Sequence, residues 1–106
     1  NIDTAIRCAL IINELVSNSL KYAFPNGKDG EILIRLNQTE TEDLNLCISD
    51  NGIGFPANVS WEKTDSLGLQ LVRSLTDQLN GSIKCQLDRG AQFDIRFRPL
   101  VSDRQN

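Results

Sequence analysis

The chain has 106 residues, 40% apolar and 24% charged, with a net charge of −3 and no histidine. This length fits one domain that can bury a core without metal or disulfide support. The acidic balance excludes a global attraction for nucleic acid or an anionic membrane, and the missing histidine excludes Ser-His-Asp chemistry, histidine-ligated metals and a phosphohistidine within these residues.

The first segment, Asp3 to Ala23, predicts one long helix that Asp3 or Thr4 caps. A helical wheel places the apolar side chains on one side: Ala5, Cys8, Ala9, Ile12, Val16 and Ala23. The opposite side carries Arg7, Glu14, Asn18 and Lys21. The turn signal Pro25-Asn26-Gly27 ends the helix.

Four segments alternate apolar and polar side chains as half-buried strands do: Glu31–Leu36, Leu44–Asp50, Ser82–Leu87 and Phe93–Arg98. Asn51 to Asp65 is predicted as a loop, and leucines at helical spacing predict a second helix over Ser66–Asn80 that Gly81 ends. This order of elements, with a helix and two strands followed by another helix and two strands, predicts an α+β two-layer sandwich. Its sheet is expected to be mixed, mostly antiparallel, and covered by helices on one face.

The chain has three cysteines that lie far apart and show no CxxC spacing: Cys8, Cys47 and Cys85. This pattern predicts that they are reduced core residues of a cytosolic protein. The sequence shows no apolar run long enough to span a bilayer and no signal peptide. We therefore expect a cytoplasmic domain without direct membrane contact.

Glu14, Asn18 and Lys21 share one helical face because they are spaced i, i+4, i+7. An amide oxygen suits Mg²⁺, an ammonium suits a phosphate, and a carboxylate can hold a water or orient a nucleophile. A simple solvated helix face explains the same pattern.

Asp50-Asn51-Gly52-Ile53-Gly54-Phe55 places a carboxylate at a strand end, followed by a Gly-x-Gly turn. Glycine lets a ligand approach the backbone, and the carboxylate can accept a hydrogen bond from an amino group such as adenine N6. The alternative is an ordinary strand-ending turn, since Asp, Asn and Gly favour turns.

Ser66-Leu67-Gly68-Leu69 opens the second helix with a glycine. A helix N-terminus carries partial positive charge, and glycine there lets phosphate come close. A capped helix start with an incidental glycine is the alternative. No GxxxxGK[ST] P-loop occurs, so a phosphate site here would be of another kind.

The order and spacing of these motifs, together with the Gly-x-x-Phe of the last hairpin, resemble the GHKL ATP-binding family of histidine kinases, gyrase-type ATPases, Hsp90 and anti-sigma kinases. Ile11 to Phe24 resembles the N-box of sensor histidine kinases, in the subfamily with a glutamate in that box and a short ATP lid. Asp50 to Phe55 resembles the G1 box and Leu67 to Val72 the G2 box.

The resemblance implies a Bergerat-type sandwich with ATP between the long helix and the lid. At the adenine, it implies that Asp50 accepts from N6 and that Tyr22 packs nearby. Gly52 and Gly54 would shape the adenine turn, with Ile53 between them in the cofactor-binding set.

At the phosphates, the resemblance implies that Asn18 holds Mg²⁺ and that Lys21 contacts phosphate. Gly68 and Leu69 would meet the phosphates through backbone N–H groups. Glu14 stands where gyrase-type relatives keep a general base; in a kinase it would polarise the incoming histidine or order water, or else serve only a helix hydrogen bond.

The implied function is transfer of the γ-phosphoryl group of ATP to a histidine on a separate helical dimerisation domain, with a response regulator downstream. Residues 1–106 would be the catalytic and ATP-binding domain alone, without its phosphoacceptor and sensor domains. We expect this piece to be a monomer that binds ATP with Mg²⁺ and does not autophosphorylate.

The sequence departs from the family where Gly90-Ala91-Gln92-Phe93 lacks the usual threonine, and the lid over Phe55–Asp65 is short and holds Trp61. The lost hydroxyl predicts a weakened water-mediated adenine contact. Two other functions stay open: an anti-sigma-type serine kinase, and a degenerate nucleotide-binding module without transfer. A gyrase-like ATPase is disfavoured because such machines need a transducer.

Overall fold

A computed structural model describes residues 2–24, 29–53, 67–86 and 90–99. Each predicted helix and strand is present, with small shifts at the ends. The elements are helix α1 (Ile2–Asn18), which continues as a π-helix over Ser19–Ala23, strands β1 (Ile32–Gln38) and β2 (Leu44–Asp50), helix α2 (Leu67–Gln78), and strands β3 (Ser82–Gln86) and β4 (Gln92–Phe97). None of the helices in these ranges has the length and apolar character needed to cross a membrane.

The four strands form one sheet in the order β1-β2-β4-β3, and every neighbouring pair is antiparallel. The two helices pack against each other and against one face of this sheet. This confirms the predicted α+β two-layer architecture. The described strands include no parallel pair, so the parallel part of the expected mixed sheet is not found among them.

The core lies between the helices and the helix-facing side of the sheet. One cross-strand row runs Leu36, Leu46, Ile95, Ile83 from the first edge to the other. Ile95 in its middle is fully buried, whereas Leu36 on the edge strand β1 is 58% exposed. Among the described residues of β1, Ile34 and Leu36 are exposed and Ile32 is partly buried against the core, so the cover that the helices provide decreases toward this edge.

The predicted apolar side of the first helix is partly wrong. Ala5 and Ala9 are exposed, whereas the buried residues of α1 are Thr4, Ile11 and Leu15. The physical reason is that α1 packs against α2 as well as the sheet, which moves its buried arc toward α2. The helix also begins at Ile2, so Asp3 and Thr4 lie inside its first turn rather than at the N-cap position.

Helix α2 ends in a Schellman motif, although the residue in the left-handed conformation is not the predicted Gly81. Asn80 adopts a φ of 55° there. Gly81 N donates to Thr76 O at 3.0 Å, and Asn80 N donates to Asp77 O at 2.9 Å, which closes the last turn. Asparagine tolerates this conformation, so it ends the helix one residue earlier than glycine would have.

The outer face of the sheet carries a second row, Arg35, Cys47, Asp94 and Lys84. Cys47 is only 3% exposed in this row. Burial raises the pKa of the Cys47 thiol, and a hydrogen bond with Arg35 opposes that shift. All three cysteines are reduced thiols that form no disulfide, as expected.

We expect a thiol-specific reagent at neutral pH to label Cys47 on the order of tenfold more slowly in the native chain than in urea, because the thiolate is both covered and disfavoured. The rate should increase as the pH approaches and passes the ordinary thiol pKa of 9.0. Mass spectrometry of the labelled peptides measures each cysteine separately. Equal labelling rates in the native and unfolded chain would show that Cys47 is accessible.

Candidate functional site

Three of the predicted motifs meet at one end of the molecule. Arg7 near the start of α1 donates from Nε to Gln78 Oε1 at the end of α2 (2.9 Å), so the two helices run antiparallel. The C-terminal end of α1, with Glu14 and Asn18, therefore lies at the same end as Gly68 at the start of α2. Asp50 at the end of β2 is held to this end of the first helical segment by Ser19.

Asp50 is the centre of the hydrogen-bond network at this end. Its Oδ2 accepts from Ser19 Oγ at 2.7 Å. Its Oδ1 accepts from the backbone N–H of Gly52 at 2.9 Å and of Ala91 at 3.3 Å. A carboxylate offers about four lone-pair sites, so three donors fix its orientation and leave an acceptor site for a ligand.

The turn that follows Asp50 is anchored to two other elements. Ile53 N donates to Ala23 O at 3.0 Å, at the end of the π-helix. Asn51 N donates to Glu31 O at 3.2 Å, and Asn51 Oδ1 accepts from Glu31 N at 2.8 Å. These bonds hold the turn between the first helical segment and the start of β1.

Two glycines permit close backbone approach around the carboxylate. A Cβ at Gly52 would overlap the carbonyl oxygen of Ala23. Gly90 has a φ of 102°, and a Cβ there would overlap the Asp50 carbonyl oxygen. Gly52 was a predicted site residue, whereas Gly90 was noted only within the last hairpin motif.

The π-helix corrects the predicted face of Glu14, Asn18 and Lys21. Asn18 ends the α-helix and Lys21 lies in the π-helical turn, where the i→i+5 pattern replaces the spacing that placed all three on one face. Glu14 and Asn18 remain one α-helical turn apart and are both half-buried, and Lys21 is exposed. Asn18 makes no side-chain capping hydrogen bond.

The other predicted site residues divide into three groups. Gly68 and Leu69 are the second and third residues of α2, which begins at Leu67, and the Leu69 side chain is buried in the core. Ile53 is exposed beside Gly52. Gly54, the lid over Phe55–Asp65 with Trp61, and the side chain of Tyr22 lie outside the described residues.

Sequence reasoning missed Ser19, which is 8% exposed and bonded to Asp50. A signal was present, because the helical wheel places Ser19 near Cys8 and Ile12 on the apolar side of the helix. A polar residue on an apolar face requires a hydrogen-bond partner when it is buried.

A protein-family model described as histidine kinase-, DNA gyrase B-, and HSP90-like ATPase matches residues 3–101. Sensor histidine kinase PdtaS of Mycobacterium tuberculosis is 36% identical over 104 residues, which cover 96% of this chain and 21% of the relative. Blue-light-activated histidine kinase 2 of Erythrobacter litoralis is 29% identical over 82 residues, which cover 77% of this chain and 24% of the relative.

The solved histidine kinase domain of an Erythrobacter litoralis blue-light activated histidine kinase has the same fold. It superposes with a TM-score of 0.84 at 26% sequence identity and covers 92% of this chain and 45% of that chain. The chain spans about a tenth to a quarter of the length of the curated relatives it matches.

Proposed function

The chain belongs to the family of histidine kinase-, DNA gyrase B- and HSP90-like ATPases, and from that premise we propose that it binds ATP with Mg²⁺ and donates the γ-phosphoryl group to a histidine on a separate helical domain. Residues 1–106 would be the catalytic and ATP-binding domain of a longer two-component sensor kinase. The observation that carries the proposal is the Asp50 carboxylate, fixed by three donors at the end where α1 finishes and α2 starts.

The adenine is proposed to bind at Asp50. Because Ser19, Gly52 and Ala91 all donate to this carboxylate, it presents only acceptor sites to a ligand. An exocyclic amine such as adenine N6 is the matching donor, and hydrogen bonds to a charged acceptor are the stronger kind. Gly52 and Ile53 lie in the turn beside it, Gly54 is proposed to belong to the same adenine-binding set, and Tyr22 is proposed to pack against the base.

The phosphates are proposed to lie between the end of α1 and the start of α2. Asn18 is half-buried and carries an amide oxygen, which suits Mg²⁺ as a hard cation that keeps several waters. Lys21, which is exposed in the π-helical turn, is proposed to contact phosphate with its ammonium group, and Gly68 and Leu69 are proposed to do so at the positive end of the α2 dipole. The ion, when bound, would neutralise phosphate charge.

The residues of this chain contribute to transfer by positioning and charge. An imidazole nitrogen of the acceptor forms the new bond to phosphorus while the bond from phosphorus to the bridging oxygen of ADP breaks. Half-buried Glu14, one turn before Asn18, is proposed to accept a hydrogen bond from the imidazole N–H and so to orient it. The acceptor must come from outside these residues because they contain no histidine.

The partner is proposed to be the helical phosphoacceptor domain of the same kinase, with a response regulator as the later acceptor. Two leucines on one face of α2 support a docking surface, since Leu67 is 80% exposed and Leu71 is also exposed. Exposed apolar residues that lie close together are typical of protein interaction sites. We place the domain in the cytoplasm, where ATP is available, and expect the isolated chain to be a monomer.

Transfer in trans tests the proposal. The chain, ATP and Mg²⁺ are mixed with the phosphoacceptor domain of the parent kinase, and we expect acid-labile phosphate on that domain and none on the chain. Asn18→Ala should slow transfer by roughly 100-fold, the scale for losing one electrostatic contact to a transition state. Asn13→Ala, an exposed asparagine on the same helix, should leave the rate unchanged.

Other outcomes would separate the alternatives. Acid-stable phosphate on a serine of a partner protein would favour the serine-kinase function. Tight ATP binding without any transfer would favour a nucleotide-binding module. An Asn18→Ala variant as active as the parent chain would show that Asn18 does not hold the ion.

A further inference from the structure

We infer that Ser19 is a positioning residue that makes the proposed pocket select a purine carrying a 6-amino group, an inference that rests on the proposed ATP site. Ser19 is the first residue of the π-helical turn, directly after Asn18. Its side chain is 8% exposed, and its hydroxyl donates to Asp50 Oδ2 at 2.7 Å. That distance is typical of a charge-assisted O–H···O⁻ bond.

The bond matters because it controls the second oxygen of the carboxylate. Oδ1 is already engaged by the N–H groups of Gly52 and Ala91, both from the backbone. Among the described residues, the Ser19 hydroxyl is the donor that reaches Oδ2. Ser19 therefore fixes the direction of the remaining Oδ2 lone pair, which is where an exocyclic amine can donate.

The π-helix couples this hydroxyl to the rest of the turn. Ser19 at its start holds Asp50, and Ala23 at its end accepts from the N–H of Ile53. The same five-residue segment thus forms hydrogen bonds with both the Asp50 carboxylate and the turn that follows it. Single π-turns inside α-helices occur frequently at functional sites, and this one starts directly after Asn18.

The selectivity follows from donor and acceptor matching. With three donors directed at it, the carboxylate can accept from a 6-amino group but meets the 6-oxo group of guanine as a second acceptor. Without the Ser19 hydroxyl, Oδ2 is free to turn or to hold a water, and its preference for the amine weakens. A purine that has no group at position 6 makes no contact with this oxygen and is unaffected.

The test is binding calorimetry of ATP and of purine riboside triphosphate, which lacks the 6-amino group, to the parent chain and to Ser19→Ala. We expect Ser19→Ala to lower ATP affinity by about tenfold, the scale for a hydrogen bond to a charged group, and to change the analogue's affinity less than about twofold. Ser19→Thr keeps the hydroxyl and should keep the preference for ATP. Ser17→Ala, two residues earlier on α1, is the matched control and should bind both ligands as the parent does.

The possible outcomes distinguish a failure of this inference from a failure of the proposed ATP-binding function. If the parent prefers ATP and Ser19→Ala binds it equally well, or loses affinity for both ligands equally, the positioning role is wrong and the ATP site stands. If the parent binds neither ligand, the proposed function and this inference are both wrong. Urea unfolding of each variant verifies that the compared chains are folded.

Discussion

Asp50→Asn should reduce ATP binding by roughly 100-fold or abolish it at millimolar nucleotide. The variant removes the charge and turns one acceptor oxygen into an NH₂ group. At the Oδ1 position this group faces the N–H donors of Gly52 and Ala91, and at the Oδ2 position it faces the adenine amine. A hydrogen bond to a charged group is worth about 1.5–3 kcal/mol, and a mismatched buried donor adds to the loss. Calorimetry with Mg²⁺ measures the affinity directly.

Asp94→Asn is the matched control for this prediction. Asp94 lies on the outer face of the sheet, where it accepts hydrogen bonds from Gln92 and Asn45. The chemical change and the change in net charge are the same, but the position lies on the face away from the helices. Equal weakening by both variants would assign the effect to net charge, and unchanged binding by Asp50→Asn would move the adenine site elsewhere.

The position of Asp50 could be predicted from sequence because a strand-ending acidic residue before Gly-x-Gly is a local pattern. Its three hydrogen-bond donors could not all be predicted in the same way. Ser19 and Ala91 lie 31 and 41 residues from it in sequence, and only tertiary folding brings them together. Local patterns thus identify the acceptor, whereas the groups that orient it depend on long-range packing.

The fold was predictable in its element order for a similar reason. Alternation and helical spacing are local properties, so strands such as Leu44–Asp50 were placed with the bounds that the structure has. The π-helix was not predictable, because nothing in residues 19–23 forbids an α-helix; its anchors are Asp50 and Ile53 on other elements. The buried arc of α1 was misplaced because the position of α2 is likewise a tertiary property.

Ile95→Ala should destabilise the chain by about 2–5 kcal/mol, the largest stability effect we expect from a single core truncation. Ile95 has no exposed surface, and its cross-strand neighbours Leu46 and Ile83 fix it in the middle of a four-residue row. The two helices pack over this position, so the neighbouring side chains cannot move in to fill the cavity that the truncation leaves. Since the free energy of unfolding of a small domain is only about 5–15 kcal/mol, this truncation should remove a large part of it. Urea unfolding monitored by circular dichroism gives the free energy of unfolding.

Leu36→Ala supplies the contrast within the same row. Leu36 pairs with Leu46 but is 58% exposed on the edge strand, so its truncation removes little buried surface and should cost less than about 1 kcal/mol. The difference between the two variants measures how far the helix cover extends across the sheet. A loss at Leu36 as large as that at Ile95 would mean that β1 is covered in solution by residues outside the described ranges or by a second molecule. Unfolding curves that shift with protein concentration would identify the second molecule, because association stabilises by mass action.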